Sequence, residues 1–224
     1  MSLAGSWRIA TPTEPRARTY GAHAYYFSPH GELVLSTGTR EKQQRILLTW
    51  REHLGHVVID QPSAPAEERM PLVRASEVTM QLGSSWYLRE TGPMFDEEAA
   101  SWALVAGGAW HGIASAHLDG PFNPFLLLET GRERQLRRIL SASYAEAEES
   151  ARDILAREAY ERAVWVRDGR ATLDGVKTDA IITTRYAPRG VALSDLALPY
   201  GFRDGVATIL RSFHQQPTMT WPVR

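Results

Sequence analysis

Four histidines are the first residues to weigh for chemistry. His53 and His56 flank the Gly55 turn, and His111 and His117 straddle the end of a helical stretch. A zinc site needs three or four nitrogen or oxygen ligands converging on one point. His-x-x-His across a turn is expected to splay its rings, and the chain has no His-Glu-x-x-His. The histidines therefore read as exposed or capping residues, with no metal site expected. No Gly-x-Ser-x-Gly elbow presents a serine nucleophile, and Ser143 is explained by helix capping. Neither a Gly-x-Gly-x-x-Gly after a strand nor a Walker pattern occurs, so no nucleotide cofactor is expected. With zero cysteines, disulfides, thiol catalysis, iron–sulfur ligation and cysteine zinc sites are excluded.

Aromatic residues and arginines are more informative. Trp7, Tyr25, Phe27, Trp50 and Trp86 all fall in the first ninety residues. They either fill a small core or line a cavity. In the second case Arg45, Arg69 and Tyr87 are the polar anchors, because a cavity-facing guanidinium would hold an acidic headgroup. The candidate ligand-binding set is Tyr25, Phe27, Arg45, Trp50, Arg69 and Tyr87. Strand register decides the matter, since a slip of one residue reverses every assignment. The polar segment from Asp60 to Arg69, with Pro62 and Pro65, is either a plain rigid connection or the lip of a binding site.

The elements that would position this set are strands. Ile46, Leu48 and Trp50 alternate with Arg45, Leu47, Thr49 and Arg51, and Val78, Met80 and Leu82 alternate with Glu77, Thr79 and Gln81. Each pattern gives a strand with one dry face. Turn residues at Ser28-Pro29-His30-Gly31, His53-Leu54-Gly55 and Leu82-Gly83-Ser84 separate the runs at hairpin spacing. Seven or eight strands are expected, at roughly 5–10, 23–28, 32–37, 43–52, 56–61, 67–74, 77–82 and 85–90. Closing such a meander into an up-and-down barrel removes its exposed edges. About eight strands leave an interior that side chains fill or that holds one small ligand.

Gly5-Ser6-Trp7 opens the first strand and Arg89 closes the last. This resembles the lipocalin and fatty-acid-binding (calycin) pattern, in which a Gly-X-Trp on the first strand packs under an arginine from the last. The segments Tyr26 to Leu33, Ile46 to Trp50 and Asp60 to Pro65 are also similar to small bacterial lipocalin-like domains. The resemblance covers about residues 1–92. It implies a barrel plugged at one end by Gly5, Trp7 and Arg89, with ligand binding as a family tendency.

After Gly92-Pro93 the period changes. Asp96-Glu97-Glu98 is followed by Ala99, Trp102, Ala103, Ala106 and Trp110 at helical spacing, up to Asp119-Gly120-Pro121. Gly107-Gly108 marks either the close approach of another backbone or a break into two helices. Phe125 to Leu128 reads as a buried strand, Arg132 to Leu140 as a basic helix, and Ser143 to Glu146 as a capping box for a helix running to Arg157. Asp168-Gly169 and Asp174-Gly175 read as two hairpin turns within Arg162 to Tyr186. Asp204 to Phe213 reads as a short helix and Pro217 to Arg224 as extended.

The expected fold class is mainly β plus α+β. A small antiparallel lipocalin-like barrel (1–92) precedes an α+β domain of helices packed on β-hairpins (93–224). The chain has 224 residues, 43% apolar and 23% charged, as a globular protein does. Its formal charge of -1 lacks the basic excess that nucleic-acid binding requires. No apolar run is long enough for a membrane span. Lys42 and Lys177 are the only lysines, an arginine bias expected of a GC-rich bacterial genome. With no signal peptide legible, the cytoplasm is the expected compartment. The reading that follows is a non-catalytic binder of a small apolar or amphipathic molecule, without cofactor. The alternatives are a protein-binding module of the immunity or regulatory kind, including self-association, and an enzyme with a cleft site near His111, His117 and Asp119.

Overall fold

A computed structural model describes residues 2–11, 24–38, 43–60, 67–90, 93–210 and 213–215. The chain divides into two compact units, one built mainly of residues 1–61, 66–99 and 213–224, the other mainly of residues 100–212.

The first unit is a closed antiparallel barrel of eight consecutive strands: β1 (Gly5–Thr11), β2 (Ala24–Phe27), β3 (Glu32–Gly38), β4 (Gln43–His53), β5 (His56–Asp60), β6 (Glu68–Arg74), β7 (Thr79–Leu82) and β8 (Ser85–Arg89). Each strand pairs with the next, and β1 pairs with β8 to close the ring, Trp7 opposite Arg89 and Arg8 opposite Leu88. The turns use the residues their geometry demands. Between β4 and β5, Leu54 and Gly55 both have positive φ (47° and 73°), the backbone of a two-residue hairpin turn. Strand β4 outruns β5: its residues 49–53 pair with β5, and a ninth strand, β15 (Phe213–Gln215), joins its other half with Phe213 opposite Ile46. Residues 213–215 thus belong to the barrel sheet, although they follow the second unit in sequence.

The second unit is a six-stranded antiparallel sheet with a helix on each face. Helix α1 (Pro93–Asp119), whose residues 100–119 belong to this unit and 93–99 to the first, leads to β9 (Phe125–Thr130), β10 (Glu133–Arg138), helix α2 (Tyr144–Arg157), β11 (Arg162–Leu173), β12 (Val176–Ala187), β13 (Val191–Arg203) and β14 (Val206–Ile209). Helix α1 is unbroken through Gly107-Gly108. The reason is contact with the sheet: a Cβ on Gly108 would lie 2.8 Å from Val166 Cγ2 and 3.5 Å from Val164 Cγ1. Helix α2 covers the other face, where Ala147, Ala151 and Leu155 pack with Leu126, Leu128, Ala163 and Trp165. Its cap is built as expected. Ser143 Oγ accepts the Glu146 amide at 3.3 Å, and the Glu146 carboxylate takes the amide of Ala142 at 3.1 Å. Ser143→Ala should therefore destabilise the second unit by about 1 kcal/mol, measurable in a urea titration.

Three expectations fail here. Residues 133–138 form a strand instead of a basic helix. Gly131 (φ 61°) makes the turn, and Arg134, Leu136 and Arg138 alternate with Glu133, Gln135 and Arg137 along β9. Asp168-Gly169 is not a turn but the middle of the twelve-residue β11, where the absent Gly169 side chain leaves room for Ile182 (2.8 Å from a built Cβ) and Asp168 accepts the Tyr200 hydroxyl at 3.1 Å. Asp204 to Phe213 holds no helix among its described residues; Asp204 and Gly205 (φ 53° and 79°) turn β13 into β14. The second Asp-Gly pair, Asp174-Gly175 (φ 50° and 84°), is the β11–β12 turn that its sequence announces. The segment 217–224 lies outside the described residues.

A charged group is buried inside this sheet. Glu129 on β9 accepts Arg134 Nε from β10 at 2.7 Å and Arg162 Nε from β11 at 2.9 Å. One carboxylate thus ties three adjacent strands.

Candidate ligand-binding interior of the barrel

Side chains alternate between the faces of a strand, so residues two apart share the barrel interior. The interior cluster follows this parity on every strand: Trp7 and Ile9 on β1, Tyr25 and Phe27 on β2, Leu33 and Leu35 on β3, Ile46, Leu48 and Trp50 on β4. Val57 and Ile59, Met70 and Leu72, Met80 and Leu82, and Tyr87 complete it from β5 to β8. Phe27, Leu33, Val57 and Met80 have no exposed surface, whereas Leu35, Ile46, Trp50, Met70 and Leu72 are only partly buried.

Four residues of the candidate set meet inside. The Tyr25 ring lies 5.7 Å from Phe27 and 5.4 Å from Tyr87, and Trp50 meets Phe27 edge to face at 5.0 Å. These are favourable aromatic geometries. The Trp50 indole N–H donates to the Ser28 carbonyl at 3.0 Å, which fixes its ring at the turn between β2 and β3. The interior thus gathers these four rings among largely aliphatic side chains, with the two phenols contributing its polar oxygens.

The two arginines are placed elsewhere. Arg45 stands between Gln44 and Ile46 on β4, with parity opposite to the inner Ile46 and Leu48, and its Nη2 bonds Glu98 Oε1 at 2.6 Å. Burial lowers the Arg45 pKa from its ordinary value, against the opposing pull of the Glu98 charge. Arg69 is opposite in parity to the inner Met70, largely exposed, and 3.6 Å from Glu67. Neither reaches the aromatic group. Most of the Asp60–Arg69 segment lies outside the described residues.

Trp7, Arg89 and Gly5 come together where the first and last strands pair. Trp7 is 3% exposed and donates its indole N–H to the Leu3 carbonyl at 2.8 Å. The Arg89 guanidinium carbon sits 5.2 Å from the Trp7 ring centroid, and its Nη2 donates to the Ala4 carbonyl. Gly5 has φ 121° and would bring a Cβ within 3.2 Å of that same Nη2. The positive φ favours glycine there, and any side chain would also press on the Arg89 guanidinium. The expected trio is assembled, a cation over an indole with a glycine beneath.

The chain was compared with protein-family models, curated proteins and solved structures. None of them matches. Geometry alone therefore carries the functional reading.

The histidines do not gather. Among the described residues, no group of three His, Asp or Glu side chains is arranged to hold a metal ion. His53 and His56 pair directly across the Leu54-Gly55 turn, so they share a face instead of splaying. His111 meets the Phe125 ring edge-on at 5.0 Å, and His117 Nδ1 faces the Ala207 amide at 3.4 Å. No described helix is long and apolar enough to cross a membrane.

Proposed function

We propose that the protein is a non-catalytic binder of a small apolar or amphipathic molecule, held in a lipocalin-like barrel. The observation that supports this most is the aromatic group of Tyr25, Phe27, Trp50 and Tyr87, set in an interior that is aliphatic apart from these rings and Trp7. Pockets for small molecules are lined in this way, with few polar groups to set orientation. The contact between Gly5, Trp7 and Arg89 supports the lipocalin-like reading, because it joins the first and last strands as that pattern does.

The test is a titration with N-phenyl-1-naphthylamine, a neutral apolar fluorophore. The reading predicts saturable enhancement at one dye per chain, and Trp50→Ala should weaken binding by about tenfold, equivalent to ~1.4 kcal/mol. Arg69→Ala should leave binding unchanged. Absence of saturable binding to the folded protein would refute the proposal.

A further inference from the structure

On the α2 side of the six-stranded sheet, several groups converge on one guanidinium. Trp165 on β11 is 3% exposed. Tyr144, the first residue of α2, stacks over it with centroids 5.7 Å apart and planes 28° apart. Tyr144 itself is 52% exposed. Arg167 lies two residues beyond Trp165, on the same sheet face, with its Cζ 4.6 Å from the Trp165 centroid and 5.7 Å from that of Tyr144.

A hydroxyl fixes the guanidinium in orientation. Arg167 Nη1 donates to Thr184 Oγ1 at 2.9 Å. Thr184 Oγ1 donates its own proton to Asp195 Oδ1 at 2.5 Å, so toward Arg167 it can only accept. Three arginines of low exposure are neutralised directly: Arg45 by Glu98, Arg134 and Arg162 by Glu129. Arg167, half-buried, has no carboxylate within ion-pair distance among the described residues. The indole N–H of Trp165 is also buried without an acceptor. An oriented, stacked guanidinium beside an exposed ring is a pre-organised partner for a planar anion.

The geometry points to a second ligand site in this unit, for a small aromatic monocarboxylate whose ring packs on the exposed part of Tyr144 and whose carboxylate takes the Arg167 guanidinium. Asp195, one hydroxyl away, repels excess negative charge, which favours a monoanion over a phosphate dianion.

The experiment is a titration of the full chain with sodium benzoate, followed by the ¹⁵N resonances of the Trp165 indole and the Arg167 Nε. Both should move saturably, with a dissociation constant on the order of 1 mM for so small a ligand. Benzamide has the same shape without the charge and should bind at least about tenfold more weakly to the wild-type protein. Arg167→Gln should remove the saturable shift, and Tyr144→Ala, at an exposed position, should weaken it several-fold. Non-saturating shifts, an unmoved Trp165 indole, or benzamide binding as tightly as benzoate would overturn the proposal. The comparison of benzoate with benzamide needs no variant to fold.

Discussion

Trp7→Ala is expected to destabilise the barrel by about 3–5 kcal/mol. The indole is almost wholly buried and makes three kinds of contact at once. It packs in the interior cluster, donates to the Leu3 carbonyl at 2.8 Å, and lies under the Arg89 guanidinium. Alanine removes all three and leaves Arg89 above a hole. Domain stability is only about 5–15 kcal/mol, so the variant should show a large drop in urea midpoint by far-UV circular dichroism. Trp7→Phe keeps most of the packing but loses the hydrogen bond, and should lose about 1–2 kcal/mol. Equal midpoints for wild type and Trp7→Ala would show that the indole contributes nothing.

Glu129→Ala should be comparably damaging to the second unit, by about 3–5 kcal/mol, because it removes the buried carboxylate to which both Arg134 and Arg162 donate, and the Glu161 carboxylate 3.4 Å from Arg162 is half-exposed and a poor substitute. Both guanidiniums have most of their surface buried, at 13% and 14% side-chain exposure, so water cannot replace the carboxylate cheaply. A sharper form of the prediction compares variants. Replacing Arg134, Glu129 and Arg162 together by leucine should destabilise less than Glu129→Ala alone, since no charge is then left unpaired. If the triple change is the more damaging, the stabilisation comes from the ion triad itself and the argument from stranded charge fails.

The barrel was legible in the sequence because each of its strands carries its own evidence. Ile46, Leu48 and Trp50 alternate cleanly, and glycines such as Gly31, Gly55 and Gly83 sit where positive φ is needed. The second unit was less legible where local signals competed with pairing. Residues 133–138 carry charge on both faces and only Leu136 is apolar, so nothing local separates strand from helix; pairing with β9 decides. Asp168-Gly169 has the composition of a turn, but the glycine serves the packing of Ile182 and the aspartate serves Tyr200.

The candidate site divides along the same line. Tyr25, Phe27 and Trp50 share the parity of apolar residues on or beside their strands, whereas Tyr87 stands between the exposed Trp86 and Leu88, so the pattern of β8 alone did not point it inward; the four nevertheless meet. Arg45 and Arg69 have the opposite parity to Ile46 and Met70, a signal that was present in the sequence and places them outside the aromatic group. The Arg167 platform had no such signal. Tyr144 is legible only as part of a helix cap and Trp165 only as a strand residue, and their stacking depends on how α2 lies across the sheet.

The central claim is that β1 and β8 close a ring around this interior. The chain has no cysteine, so an introduced pair reports without background. Arg8 and Leu88 face each other across the closing seam on exposed positions, at the spacing a disulfide can bridge. Under mild oxidation the Arg8→Cys, Leu88→Cys double variant should form an intramolecular disulfide in the folded monomer, seen as a faster-migrating, reducible band. A folded double variant whose two thiols stay free would mean that the first and last strands are not neighbours, and the account of the barrel would be wrong.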